Sequence, residues 1–137
     1  MIVAGITLAD HVIREAGSGK ISLIGCFSQF NFPQFPFKMG RFHVHAGVTN
    51  VRGVIEKFSA TCRIEMSGTG HVVGSVGAEV GVAPNSPAFS PNFVFDVVFP
   101  FEGNVFITAG LHDIVILVDN EVIGKRPISI MQVTAQA

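Results

Sequence analysis

The chain of 137 residues contains no tryptophan and no tyrosine. Sugar-binding surfaces use those side chains as platforms that join a flat apolar face to a polar handle, so their absence argues against a carbohydrate-binding role. Charge is scarce too. Asp, Glu, Lys and Arg make up 14% of the residues, against about 25% in ordinary soluble domains. The nine basic residues are scattered and the net charge is −1, which leaves no basic stripe for nucleic acid or an anionic membrane surface. No apolar run approaches the roughly 20 residues of a spanning helix, so no membrane insertion is expected. The opening stretch MIVAGITLADHVIREAG lacks a basic start and loses its apolar run at Asp10, unlike an export signal. A soluble, cytoplasmic protein is expected, and in that setting Cys26 and Cys62 are read as buried thiols rather than a disulfide.

Catalytic signatures are missing as well. There is no G-x-S-x-G elbow in the serine-containing stretch Ser86 to Ser90, no glycine loop of the phosphate-binding kind, and no pair of carboxylates at one place. Asp96 alternates with core phenylalanines and is read as facing outward. Asp10, Asp96, Asp113 and Asp119 fall on separate elements, whereas a calcium site needs several acids in adjacent loops. The expectation is a protein that is not an enzyme and carries no cofactor.

What is present is apolar alternation. Hydrophobic residues make up 48% of the chain, enough for one domain spanning residues 1–137 to build a core without disulfides or metals. Period-two patterning with frequent turn signals predicts an all-β fold, a single antiparallel two-sheet β-sandwich of immunoglobulin or jelly-roll type with about eight strands. The strands are expected at about Ile2–Ile13, Ile21–Phe30, Arg41–Val51, Ile55–Met66, His71–Val80, Phe93–Phe99, Leu111–Val118 and Val122–Val133. Long loops are expected from Gly81 to Asn92 and from Pro100 to Gly110, and Asp119-Asn120-Glu121 is read as a hairpin turn. Inward faces are predicted for Phe42, Val44, Ala46 and Val48, for Phe58, Ala60, Cys62, Ile64 and Met66, and for Phe93, Phe95, Val97 and Phe99.

The order of motifs resembles an uncharacterised family of small prokaryotic β-sandwich domains. The resemblance rests on Ala9-Asp10-His11, on Gly19-Lys20-Ile21-Ser22-Leu23-Ile24-Gly25-Cys26-Phe27, on Phe35-Pro36, and on the closing elements Gly110-Leu111-His112, Val118-Asp119-Asn120, Ile123-Gly124 and Pro127-Ile128. It covers most of the chain, implies the β-sandwich fold, and carries no catalytic residue across. The chain departs from the pattern at His112, where the family's closing strand usually carries an aromatic, and at a turn written Asp-Asn-Glu rather than Asp-Gly.

Two constellations invite a functional reading. His43 and His45 leave the same face of one strand at a spacing that permits Zn²⁺, Fe²⁺ or Mn²⁺. No carboxylate follows in the next residues, so no metal site is expected there; His11, His71 and His112 are other imidazoles in the chain. The second constellation is the phenylalanine-rich run. Phe58, Phe93, Phe95 and Phe99 supply core volume, but Phe30, Phe32, Phe35 and Phe37 lie in or beside a proline-broken connection where alternation is lost. A connection so apolar either folds over the end of its own domain or packs on a neighbour. With so little charge to cover the surface, the expected function is a non-enzymatic module acting through protein contacts, most simply a self-assembling structural subunit with Phe30, Phe32, Phe35 and Phe37 at the interface. The expected partner is a second copy in a homo-oligomer, with no identified small-molecule ligand. The alternative is a small-ligand or metal-binding sandwich using the His43/His45 face.

Overall fold

The computed structural model describes residues 2–49, 57–81 and 93–133. Among them there are eleven strands and no helix, so none is long and apolar enough to cross a membrane. In chain order the strands are β1 (Ile2–Arg14), β2 (Ile21–Phe27), β3 (Gln29–Phe32), β4 (Phe37–Lys38), β5 (Phe42–Thr49), β6 (Lys57–Met66), β7 (Val72–Gly81), β8 (Phe95–Phe101), β9 (Val105–Phe106), β10 (Gly110–Val118) and β11 (Glu121–Gln132). They form three sheets, ordered β2-β1-β5-β8, β3-β11-β10-β6-β7 and β4-β9. The expectation of about eight strands in two sheets is therefore corrected on both counts.

Alternation places the core as the pattern requires. Phe42, Val44, Ala46 and Val48 on β5 are buried, as are Phe58, Ala60, Cys62 and Ile64 on β6, and the two sets belong to one cluster between the large sheets. On β8 the inward set is shifted: Phe95, Val97, Phe99 and Phe101 are buried, whereas Phe93 precedes the strand and is 39% exposed. Met66, at the end of β6, is only half-buried. β10, paired with β11 on one side and β6 on the other, is buried continuously from Ile114 to Val118 and so on both of its faces.

The β10–β11 turn is shorter than expected. Only Asp119 and Asn120 lie outside the strands, and both have positive φ, 48° and 68°. This is the primed turn geometry that matches strand twist, and Asp and Asn tolerate it better than most residues. The turn is tied to β6: the Asp119 N–H donates to the Ser59 carbonyl at 2.9 Å, and the Ser59 N–H donates to Asp119 Oδ1 at 3.1 Å.

The expected strand Ile21–Phe30 breaks at Ser28. β2 stays at the edge of the first sheet, while β3 crosses to the other sheet and pairs in parallel with β11, Gln29 opposite Ser129 and Phe32 opposite Gln132. Arg126 on β11 holds the crossover, donating to the Ile6 carbonyl at 2.7 Å and to the Ser28 hydroxyl at 3.0 Å. Part of the expected loop after Pro100 is strand as well, since β9 pairs with β4 through Phe37 opposite Phe106. The expected loop Gly81–Asn92 lies outside the described residues from 82 onward, as does the Ser86 to Ser90 stretch.

β1 outruns its neighbour. It pairs with β5 from Ile2 to Ala9 and with β2 from Leu8 to Arg14, so Asp10–Arg14 and Ile21–Gly25 form a two-stranded ribbon beyond β5. The ribbon closes through a turn in which Gly17 and Gly19 take positive φ. The Glu15 N–H donates to the Lys20 carbonyl at 2.8 Å.

Phe58 packs edge-on against Phe95, with ring centroids 5.3 Å apart, and so joins the two large sheets. Phe58→Ala is expected to cost about 3 to 5 kcal/mol, read as a lower denaturation midpoint in urea at unchanged slope. A loss below about 1 kcal/mol would place that ring outside the cooperative core.

Candidate functional site

The phenylalanine-rich run folds onto its own domain. Phe30 and Phe32 alternate with exposed Gln29 and Asn31 along β3 and are buried. Phe30 meets Phe27, Phe42 and Phe106 at centroid distances of 4.9, 5.2 and 5.3 Å. Phe32 stacks on Phe37 at 4.3 Å and meets Phe35 edge-on at 5.9 Å. Both outer rings are half-buried against the core. Of Phe30, Phe32, Phe35 and Phe37, which the sequence reading places at a contact between chains, the first two have rings already enclosed within the domain. The physical reason is the pairing of β3 with β11, which turns an apparent connection into the edge strand of the second sheet.

Beside these rings lies a cleft of about 470 Å³, where β2 and β3 part company. Phe27, Phe37 and Met39 form its apolar wall above Phe30 and Phe32, and Asp10, Cys26, Gln29 and Asn31 bring polar atoms to it. Among the described residues Asp10 is the only charged one in this lining. Gly25, with φ of 70°, sits across the hairpin from it. A Cβ at Gly25 would come within 2.5 Å of Asp10 Oδ2. The left-handed backbone favours glycine at this position, and its missing side chain leaves room for the Asp10 carboxylate as it is placed here. The Gln29 amide donates to Asn31 Oδ1 at 2.9 Å. Among the described residues the Asp10 carboxylate has no ion-pair or hydrogen-bond partner.

Both histidines of the His-Val-His run are half-buried and engaged separately. His43 Nδ1 lies 3.1 Å from the Asp10 carbonyl. His45 Nε2 lies 2.8 Å from Asp96 Oδ1, and Asp96 is exposed, on the outward face expected for it. Among the described residues no three His, Cys, Asp or Glu side chains converge as metal ligands.

Two titratable groups are inside the core. Cys62 is a free thiol whose pKa burial drives upward, while the second free thiol, Cys26, is exposed at the cleft and corrects the expectation that both would be buried. His112 is buried against the edge of Phe106 at 5.9 Å. Its Nδ1 lies 3.2 Å from the Gly110 carbonyl, and its Nε2 has no partner among the described residues. Desolvation lowers its pKa, partly opposed by the Gly110 hydrogen bond and by Asp113, with His71 adding slightly to the lowering. Its role as a packed aromatic was signalled in the sequence by its place where the family pattern has an aromatic ring.

These features define an all-β domain with an aromatic-floored cleft at one end and a projecting ribbon beside it. The chain belongs to a family of unknown function, DUF6941, whose model matches residues 4–131. The resemblance to an uncharacterised family holds over almost the whole chain. No curated protein matches it.

The double substitution His43→Ala, His45→Ala is expected to cost about 1 to 2 kcal/mol through its two lost polar contacts, and to leave the protein folded and its oligomeric state unaltered. Stoichiometric zinc or manganese in purified wild type, lost in this variant, would contradict that. For His112 the folded pKa lies below the unfolded value, so its contribution to stability is complete above the unfolded pKa of about 6.5 and is lost as pH falls toward the folded pKa. Urea midpoints compared between pH 7.5 and pH 5 should fall more steeply for wild type than for His112→Phe. Parallel slopes would show that this imidazole does not resist protonation.

Proposed function

We propose that this chain is a non-enzymatic module acting through protein contacts, most simply by self-assembly, and that the β1–β2 ribbon is its contact element. The ribbon carries the reading. Ile13 and Ile24 lie on one of its faces and are 52% and 45% exposed. Val12 and Leu23, paired on the opposite face beside Ile21, are only half-buried. A ribbon apolar on both faces has no single core to turn toward. Isolated two-stranded hairpins are marginally stable in water, and exposed apolar β-ribbon is a liability that a partner surface removes. β2 is also an edge strand, with backbone groups free to extend the sheet into a neighbouring chain. The scarcity of charge in the sequence fits the same reading. Phe35 and Phe37, half-buried on the connection after β3, can add their exposed portions to such a contact.

The test is sedimentation of the full chain at micromolar concentration. Wild type is expected to run above the 14.6 kDa of one chain, and Ile13→Lys with Ile24→Glu is expected to run as a folded monomer with an unchanged circular dichroism spectrum. A wild type that stays monomeric at high micromolar concentration ends the assembly reading. An oligomer unaffected by the ribbon substitutions places the contact elsewhere.

A further inference from the structure

Apart from Phe37, the cleft between β2 and β3 has a chemistry that the assembly reading does not use. Its volume, about 470 Å³, is that of a small-molecule site, for which about 300 to 1,000 Å³ is usual. Its aromatic wall is formed in advance: Phe37 is held by stacking on Phe32, Phe27 by edge contacts to Phe30 and Phe42. A ligand entering would not have to order these rings, which lowers the cost of binding. Among the described residues the single charge in the lining is the carboxylate of Asp10, given room by Gly25.

Each class of ligand meets that arrangement differently. An anion is repelled by Asp10. A neutral apolar molecule covers the phenyl faces but strips water from the carboxylate without replacing it, which is costly. A molecule with an apolar body and an ammonium group satisfies both parts. Its body lies on Phe27 and Phe37, and its cation pairs with Asp10 while adding attraction to the aromatic faces. Gln29 and Asn31 at the rim offer amide groups to any further polar atom.

We propose that this cleft binds a small organic cation, an amine with an aromatic or branched aliphatic body, with Asp10 as the counter-ion and Phe27 and Phe37 as the apolar wall. Binding is read as protection of the full chain against thermal unfolding, which a molecule that prefers the folded state produces. Melting temperatures would be followed against rising phenethylamine, phenethyl alcohol and phenylpropionate. Phenethylamine is expected to protect with an apparent Kd of about a millimolar. The alcohol and the acid should protect at least about ten-fold more weakly, the loss expected when a charge-assisted contact is missing. Asp10→Asn should abolish the preference for the amine while leaving the melting temperature within a few degrees. Gln29→Glu, an exposed change that adds a second carboxylate at the rim, should strengthen protection by the amine severalfold and keeps the test intact if Asp10→Asn fails to fold. Equal protection by all three probes, or amine protection unchanged in both variants, overturns the proposal. So does a shift of Asp10→Asn from oligomer to monomer without any protection by the amine, which would assign the cleft to a neighbouring chain's basic side chain. Sedimentation of the ribbon variant keeps the two readings apart, since its folded monomer should still bind phenethylamine.

Discussion

Phenylalanine is the only large aromatic this chain has, and with no polar handle its rings gain most from being enclosed. At one end of the molecule the enclosure of several of them joins the sheets. Phe42 and Phe101, stacked at 5.2 Å, come from the first sheet; Phe30 and Phe32 come from the second; Phe37 and Phe106 come from the small β4–β9 pair. Phe30 and Phe32 both contact Phe106, and Phe106 contacts His112 on the central strand β10. Arg126 and the β3–β11 pairing serve the same end by fixing where the chain crosses. Removing that enclosure would leave the two large sheets without a common boundary at this end.

The cleft follows from this crossing, since it is the space left where β3 leaves β2 for the second sheet. The ribbon has a separate origin, the run of β1 and β2 past the end of β5. A chain that continued β2 straight through Ser28, as its composition suggests, would keep the ribbon and lose the cleft.

Where local pattern determined structure, the sequence was legible. β5, β6 and the hairpin after Val118 follow from alternation and from Asp and Asn at positive φ, and their inward residues are those the pattern picks out. What escaped it depended on distant partners. Gln29–Phe32 reads as the end of one strand running into a proline-broken connection because nothing nearby reveals its parallel partner a hundred positions on. On β8 the inward face is the one alternation picks out, but the strand runs two residues further along, leaving out Phe93 and taking in Phe101, which pairs with Phe42 across the sheet. His112 was visible as a departure from an aromatic position, but its burial needed the ring of Phe106 beside it. The Asp10 and Gly25 juxtaposition had a faint signal: a glycine interrupting an otherwise apolar strand, opposite an acid in the register that the hairpin implies.

The parallel pairing of β3 with β11 also orders events in time. Most strands here find a partner that is close in sequence, but among the described residues β3 acquires its only one from the last strand. Non-local parallel contacts form late because the intervening chain must be ordered first. During synthesis, then, the aromatic end stays open to water until β11 has emerged, with Phe30 and Phe32 among the last core residues to become dry. A chain cut short before Arg126 would keep every element of the first sheet and lose the clasp that closes it over the second.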